Sequence, residues 1–305
     1  MVKVIDLFAG PGGLSEGFSS IKTKDGVPQF DPVLSIEKEN YACQTLRLRT
    51  FLRSFKEKVP EDYYRFLRKE IEINELFGLH PSESKSSMKK CWNRELGEKG
   101  FLLEEIRNYL HSCPGPNEPV VLIGGPPCQA YSVIGRSRNA GNINYDPEKD
   151  ERQLLYIEYL QILVDHSPTV FVMENVKGLV SAILKGESIF ERIVEDLKDP
   201  ILALNREGRK VLKNKAEAKY TIFSLVDGKP LEKVNKDHSI IKCELYGIPQ
   251  KRHRVILLGI RNDLSIKNTS TLKCQNEVDL KSSISDLPKL RCGLSRKRDS
   301  AYAWE

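Results

Sequence analysis

The sequence predicts an α/β protein with a doubly wound, mostly parallel sheet and a helical insertion. Short β-favouring runs alternate with helical stretches from the first residues. Two of those runs end abruptly in turns rich in glycine and proline, 8–13 and 124–127. Reactive or charged side chains follow the ends of the runs, where open α/β sheets carry their functional groups. At 305 residues the chain is long enough for one large domain or two ordinary ones.

Lys3 to Leu7 reads as the first strand, Phe8-Ala9-Gly10-Pro11-Gly12-Gly13 as a turn, and Leu14 to about Ser20 as a helix. Glycines 10, 12 and 13 let the backbone approach a ligand, and the helix start offers free amides. The spacing is neither G-x-G-x-x-G nor a P-loop with its Lys-Ser/Thr, which disfavours a dinucleotide or nucleoside triphosphate and leaves a nucleoside. The next strand, about Pro32 to Ile36, ends in Glu37, where such units commonly place an acid on ribose hydroxyls. A surface carboxylate is the alternative for Glu37.

From Tyr41 to about Ser112 the chain is charged and mostly helical, interrupted by a loop expected over Gly78 to Ser87. Too few apolar residues lie between its breaks to hold a separate core, so it reads as an elaboration packed on the sheet. Its basic residues interleave with Tyr and Phe, a pattern that amphipathic helices explain as well as nucleic-acid contact does.

Val120 to Ile123 reads as a buried strand ended by Gly-Gly-Pro-Pro, with Cys128 directly after it. Two prolines stiffen that turn, so Cys128 is expected at the carboxyl end of a strand as a nucleophile. A buried structural thiol is the alternative. The polar, glycine-containing stretch Val133 to Asp150 is a candidate lid. A helix over Arg152 to Asp165 leads to a strand over Thr169 to Met173 that carries Glu174 and Asn175 at its end, in the cleft expected to hold Cys128. After a helix near Ile189 to Leu197 and a hairpin from Tyr220 around Asp227-Gly228, Val255 to Ile260 is the last buried strand. Arg252 and Arg254 precede it at period two, on one side of an extended chain, as binders of a carbonyl or phosphate or as a solvated basic strand end. Ser282 to Pro288 suggests a short helix, and Cys292 to Glu305 reads as polar and poorly ordered.

Net charge is +6, from 48 Lys and Arg against 42 Asp and Glu, which permits a polyanionic partner without requiring one. Seven scattered cysteines with no C-x-x-C argue against a disulfide framework or a zinc site, and no metal is expected. No basic leader and no long apolar run is present, so the expectation is a cytoplasmic protein with no membrane partner.

The blocks DLFAGPGGLSEGF (6–18), Glu37, GGPPCQAYS (124–132), ENV (174–176) and QKRHR (250–254) stand in the order found in DNA (cytosine-5-)-methyltransferases, which the chain resembles from Val2 to Arg261. The resemblance implies a Rossmann-like fold of the S-adenosylmethionine-dependent methyltransferase type. It implies S-adenosyl-L-methionine as cofactor, held by Asp6, Phe8, Ala9, Gly10, Gly12, Gly13, Leu14 and Glu37. Cys128 would be the nucleophile, Glu174 the acid at the base, and Arg252 and Arg254 catalytic substrate contacts. Gln129, Ser132 and Asn175 would lie against the substrate strand. The implied partner is double-stranded DNA in a restriction-modification setting, with transfer RNA or a non-catalytic cofactor-binding subunit as other readings.

Two departures stand out. Lys38 follows Glu37 where the family often has an apolar or aromatic residue, and no Gly-Asp-Ile type block supplies an acid for the adenine amino group. The expected division is a catalytic domain over 1–265, with the helical insertion at 46–118, and a segment over 266–305 leading towards a target-recognition domain, carried elsewhere or by a second polypeptide.

Overall fold

The computed structural model describes residues 1–55, 58–97, 103–112, 119–127, 152–184, 186–209, 211, 219–231, 236–287, 300 and 302. Cys128, Gln129, Ser132, the expected lid at 133–150 and the tail at 292–299 lie outside them. Two compact units are present, one of residues 1–241 and 253–272, the other of 242–252 and 273–305.

In chain order the strands are β1 Val2–Leu7, β2 Phe30–Glu37, β3 Cys91–Asn93, β4 Val120–Gly124, β5 Val170–Val176, β6 Ile183–Leu184, β7 Glu187–Ser188, β8 Tyr220–Ser224, β9 Ile240–Lys242 and β10 His253–Arg261. The helices are α1 Gly13–Ser19, α2 Asn40–Arg53, α3 Glu61–Leu67, α4 Ile73–Leu79, α5 Pro81–Lys90, α6 Leu103–Ser112, α7 Arg152–His166, α8 Ile189–Lys198, α9 Pro200–Arg206 and α10 Leu280–Ile284. The main sheet runs β3-β2-β1-β4-β5-β10-β8, with β9 beside β10, and β6 and β7 form a separate small ladder. Pairing is parallel from β3 through β5 and antiparallel on both sides of β10. The sheet is therefore mostly parallel, as the alternation of strands and helices predicts.

Alternation along β1 sends side chains to both faces. Val4 joins Val121 and Ile123 on one face, against Leu14 and Phe18 of α1. Ile5 and Leu7 face the other way, into the large core with Tyr159, Leu160 and Leu163 of α7 and Phe190 and Val194 of α8. Both faces are thus covered, which is why the strands read as apolar runs rather than as strict alternation. In α8, Ser188 caps Glu191 N at 3.4 Å, and buried Ile189, Phe190, Ile193, Val194 and Leu197 make its amphipathic stripe. Gly259 of β10 lies opposite Phe171 of β5, whose ring lies within 2.0 Å of where a Cβ on Gly259 would sit. A side chain there has no room.

The insertion departs from the sequence reading in two places. The expected loop over Gly78 to Ser87 is mostly helix, because Pro81 takes the first position of α5, where its missing amide costs nothing. Its buried face consists of Ser84 and Ser87, so no apolar period marks it. Cys91–Asn93 adds a parallel edge strand to β2. Helices α2 to α5 also enclose a small cluster of their own, Phe51, Ile71 and Leu76.

The strand order reverses between β2 and β4 across β1, and β1 and β4 end side by side, Leu7 opposite Gly124. Ligand crevices of open α/β sheets form at such a switch point. Among the described residues no helix is long and apolar enough to cross a membrane.

Candidate active site

The first wall is the turn after β1. Phe8 adopts φ 55°, a left-handed conformation that costs a side chain of this size on the order of 1 to 3 kcal/mol. Two bonds hold it there: Ala9 N donates to Ile36 O at 3.1 Å and Gly10 N to Glu37 Oε2 at 2.7 Å. Gly12, at φ 89°, leaves no space for a Cβ, which would sit 2.7 Å from Leu46. Glu37 is fixed on its other side by Glu39 N, which donates to Oε1 at 2.7 Å. Each carboxylate oxygen holds one backbone amide and keeps acceptor capacity for a ligand hydroxyl.

Phe8 and Glu37 line a cavity of about 470 Å³ with Ile36, Lys38, Leu96, Pro127 and Leu155 among its other walls. Of the expected cofactor set, Phe8 and Glu37 are the two residues that line it. Asp6 is buried beneath the turn, and neither carboxylate oxygen has an aligned hydrogen-bond partner among the described residues. Burial pushes its carboxyl up to about 7, partly offset by nearby Ser15 and Arg53 and reinforced by the charge of Glu37. Ala9 is buried with Leu46 and Cys91, Leu14 packs into the α1 face of the core, and Gly13 is exposed.

The second wall is built from β4, β5 and β10. The last β4–β5 pair is Gly124 with Met173, so β5 outruns its neighbour and carries Glu174 and Asn175 alongside the turn at 125–127. Gly124 lies so close to β1 that a Cβ would meet Leu7 O at 2.4 Å. A Cβ on Gly125 would lie 2.9 Å from Glu174 O and 3.1 Å from Glu174 Oε2, so the glycine is what allows this approach. Buried Asn175 ties the turn to the strand, its Nδ2 donating to Pro126 O at 3.3 Å and its Oδ1 accepting from Val176 N at 2.8 Å.

Arg254 pairs across the strands with Val176, and Glu174 with Ile256, which puts Arg254 and Glu174 diagonally on one face of the sheet. Arg254 Nε lies 2.6 Å from Glu174 Oε1, an ion pair made by proximity rather than by an aligned N–H. Its Nη1 donates to His253 O at 2.8 Å. Strand β10 starts at His253, so Arg254 stands within the strand and Arg252 just before it. Arg252 is an exposed member of the second unit, where its N donates to Gln250 O at 2.8 Å.

Sequence reasoning missed the wall after β3. Glu95 and Leu96 border the cavity, and Asn93 Nδ2 donates to Glu37 O at 3.0 Å and Lys38 O at 2.9 Å. The only signal in the sequence was the short run Cys91-Trp92-Asn93 inside a charged segment.

The profile of the C-5 cytosine-specific DNA methylase family matches residues 2–74, 82–200 and 209–304. The type II methyltransferase M.Bpa9945I of Bacillus paralicheniformis is 29% identical over 310 residues, covering 94% of this chain and 61% of its own. M.AquIA of Picosynechococcus sp., also a type II methyltransferase, is 30% identical over 259 residues, covering 85% and 72%. The chain spans 45% to 61% of the lengths of M.Bpa9945I, M.BspRI and M.DdeI. A prophage-encoded E. coli protein, provisionally named a DNA modification methyltransferase, superposes with a TM-score of 0.55 at 19% identity, over 96% of this chain and 57% of its own, and so shares the fold. By the breadth of the profile match, the chain belongs to the C-5 cytosine-specific DNA methylase family.

Proposed function

We propose that this chain is the catalytic region of a DNA cytosine-5 methyltransferase that modifies a cytosine flipped out of duplex DNA, in a restriction-modification setting. The observation that carries the reading is Glu174, held between Gly125 and Arg254 directly beside the turn that leads to Cys128. S-adenosyl-L-methionine supplies the methyl group, and the cavity bordered by Phe8 and Glu37 fits its nucleoside, with apolar walls for a base and a fixed carboxylate for ribose hydroxyls.

Carbon 5 of cytosine is a weak nucleophile, so a thiolate first adds at carbon 6. In this reading Cys128 forms the sulfur–carbon bond. Electrons of the 5,6 double bond move into the ring while Glu174 delivers a proton to ring nitrogen 3. The resulting enamine would take the methyl group at carbon 5 as the sulfonium S–CH3 bond breaks, with S-adenosylhomocysteine as the leaving group. Loss of the carbon 5 proton to water then expels the thiolate, and Glu174 recovers its proton. Arg254 orients Glu174 and holds the ring carbonyl, Asn175 fixes the turn, and Gln129, Ser132 and Arg252 contact the substrate strand. A stacked base exposes no face to the thiolate, so flipping is required.

The test is incubation of the full chain with methyl-labelled S-adenosylmethionine and either duplex DNA or transfer RNA. Label is expected in 5-methylcytosine of DNA. Label confined to transfer RNA, or cofactor binding with no transfer to either, would overturn the proposal.

A further inference from the structure

We propose that Arg209 and Glu158 are positioning residues that hold two apolar walls of the cavity, Leu96 and Leu155, at the spacing the cofactor needs, an inference that rests on reading this cavity as the cofactor site. Neither residue of the pair borders the cavity. Glu158 follows Leu155 by three positions on α7, so the two lie about one turn apart on one face of the helix. Gly97 follows Leu96 in a left-handed conformation, φ 80°, and a Cβ on it would lie 3.2 Å from Glu158 Cγ. The Glu158 side chain therefore stands against the backbone that carries Leu96 and shares a helix face with Leu155.

Glu158 is only 5% exposed, and its Oε1 accepts from Arg209 Nη2 at 2.8 Å. Among the described residues Arg209 is the one cation within ion-pair reach of it. The arginine is itself anchored. Helix α9 ends in a glycine cap, with Gly208 at φ 69°, Gly208 N donating to Asn205 O at 3.1 Å and Arg209 N to Leu204 O at 3.0 Å. Ala203 and Leu204 of that helix are buried in the same core as Tyr159 and Leu160 of α7. The guanidinium thus reaches Glu158 from a backbone position fixed to the core. A carboxylate this buried keeps its place only while its charge is matched. Without Arg209 it would turn towards solvent, and Gly97 and α7, which flank it, would shift with it. Close packing passes such a shift on to Leu96 and Leu155, and apolar walls lose contact energy steeply as a gap opens. The pair acts from outside the cavity, so it governs how tightly the cofactor is held and not the chemical step.

The experiment is calorimetric titration of the full chain with S-adenosylhomocysteine, paired with the dependence of DNA methylation on S-adenosylmethionine concentration. Arg209→Met should raise the Kd by about tenfold, within the range carried by residues that touch no ligand, and the loss should appear in the KM for S-adenosylmethionine rather than in kcat. Arg209→Lys, which keeps the charge without the planar fork, should recover part of the affinity. In a Glu158→Met background Arg209→Met should add nothing, because no buried charge is left to match. An unchanged Kd in Arg209→Met beside a lowered melting temperature would show that the pair only supports the fold, and would overturn the inference while leaving the cofactor site standing. The same loss from Arg209→Met in both backgrounds would also overturn it. If Arg209→Met does not fold, Arg209→Lys decides by the same readings, a raised Kd and KM supporting the inference and unchanged values overturning it. Failure of wild type to bind S-adenosylhomocysteine would instead remove the cofactor reading and this inference with it.

Discussion

Glu37 and Glu174 both stand at the carboxyl ends of parallel strands, yet they are held by opposite means. Glu37 is clamped by two backbone amides, Gly10 N and Glu39 N, each at 2.7 Å. Glu174 is held by a side chain, with Arg254 Nε at 2.6 Å, and by the absence of a side chain on Gly125. Amides fixed in the chain cannot leave, so Glu37 is suited to bind the same hydroxyls throughout a turnover. A guanidinium has rotamers and spare donors, so Arg254 can share Glu174 with an incoming base. Under the proposed function, the difference would separate a binding carboxylate from a reacting one.

If this division is right, substitutions at the two ends should affect different kinetic quantities. The largest effect belongs to the proposed nucleophile: Cys128→Ser should abolish turnover while changing cofactor affinity by no more than a few-fold, as measured by single-turnover methylation and equilibrium binding. Glu174→Gln should slow the chemical step by roughly 100-fold or more, the usual scale for a general acid, with little change in DNA affinity. A full single-turnover rate would take Glu174 out of the mechanism. Gly125→Ala, whose Cβ intrudes on both the carbonyl and the carboxylate of Glu174, should cost about tenfold in kcat with nearly unchanged cofactor binding. Glu37→Gln reverses the pattern. It should raise the Kd for S-adenosylhomocysteine by about tenfold and leave the single-turnover rate at saturating cofactor within a few-fold, since only binding bonds are weakened.

The smallest effect concerns the support beneath the turn at 8–13. Burial pushes Asp6 up to about 7 from an unfolded value of 3.8. Its folded state therefore prefers the protonated form, so the stability it contributes is complete below pH 3.8 and is lost as pH rises through about 7. Asp6→Asn should narrow the difference in unfolding free energy between mildly acidic and mildly alkaline buffer by about 1 kcal/mol or more, as read from urea titrations. An unchanged difference would show that Asp6 does not titrate as described.

Legibility in the sequence followed the same division. Strands β1, β4, β5 and β10 are apolar runs punctuated by glycine, proline or charge, and such punctuation is local, so it survives in one dimension. Glu37, Glu174 and Arg254 were singled out for that reason, each at one end of a run, whereas Phe8 was named only through the family resemblance. Helix α5 was hidden because its buried face is serine, and β3 because three residues carry no period. Glu95 and Lys38 are 57 positions apart, and only the pairing of β2 with β3 brings them together. The need for glycine at 125 depends on the register of β5 against β4, which no spacing within either strand reveals.

The account rests most heavily on a covalent step beside Glu174. The direct measurement is to trap the full chain on duplex DNA carrying 5-fluorocytosine, with S-adenosylmethionine present, and to map the modified peptide by mass spectrometry. The account predicts a denaturation-stable adduct on Cys128 that needs the cofactor and forms roughly 100-fold more slowly in Glu174→Gln. An adduct on another cysteine, or one that forms undiminished in Cys128→Ser, would contradict it.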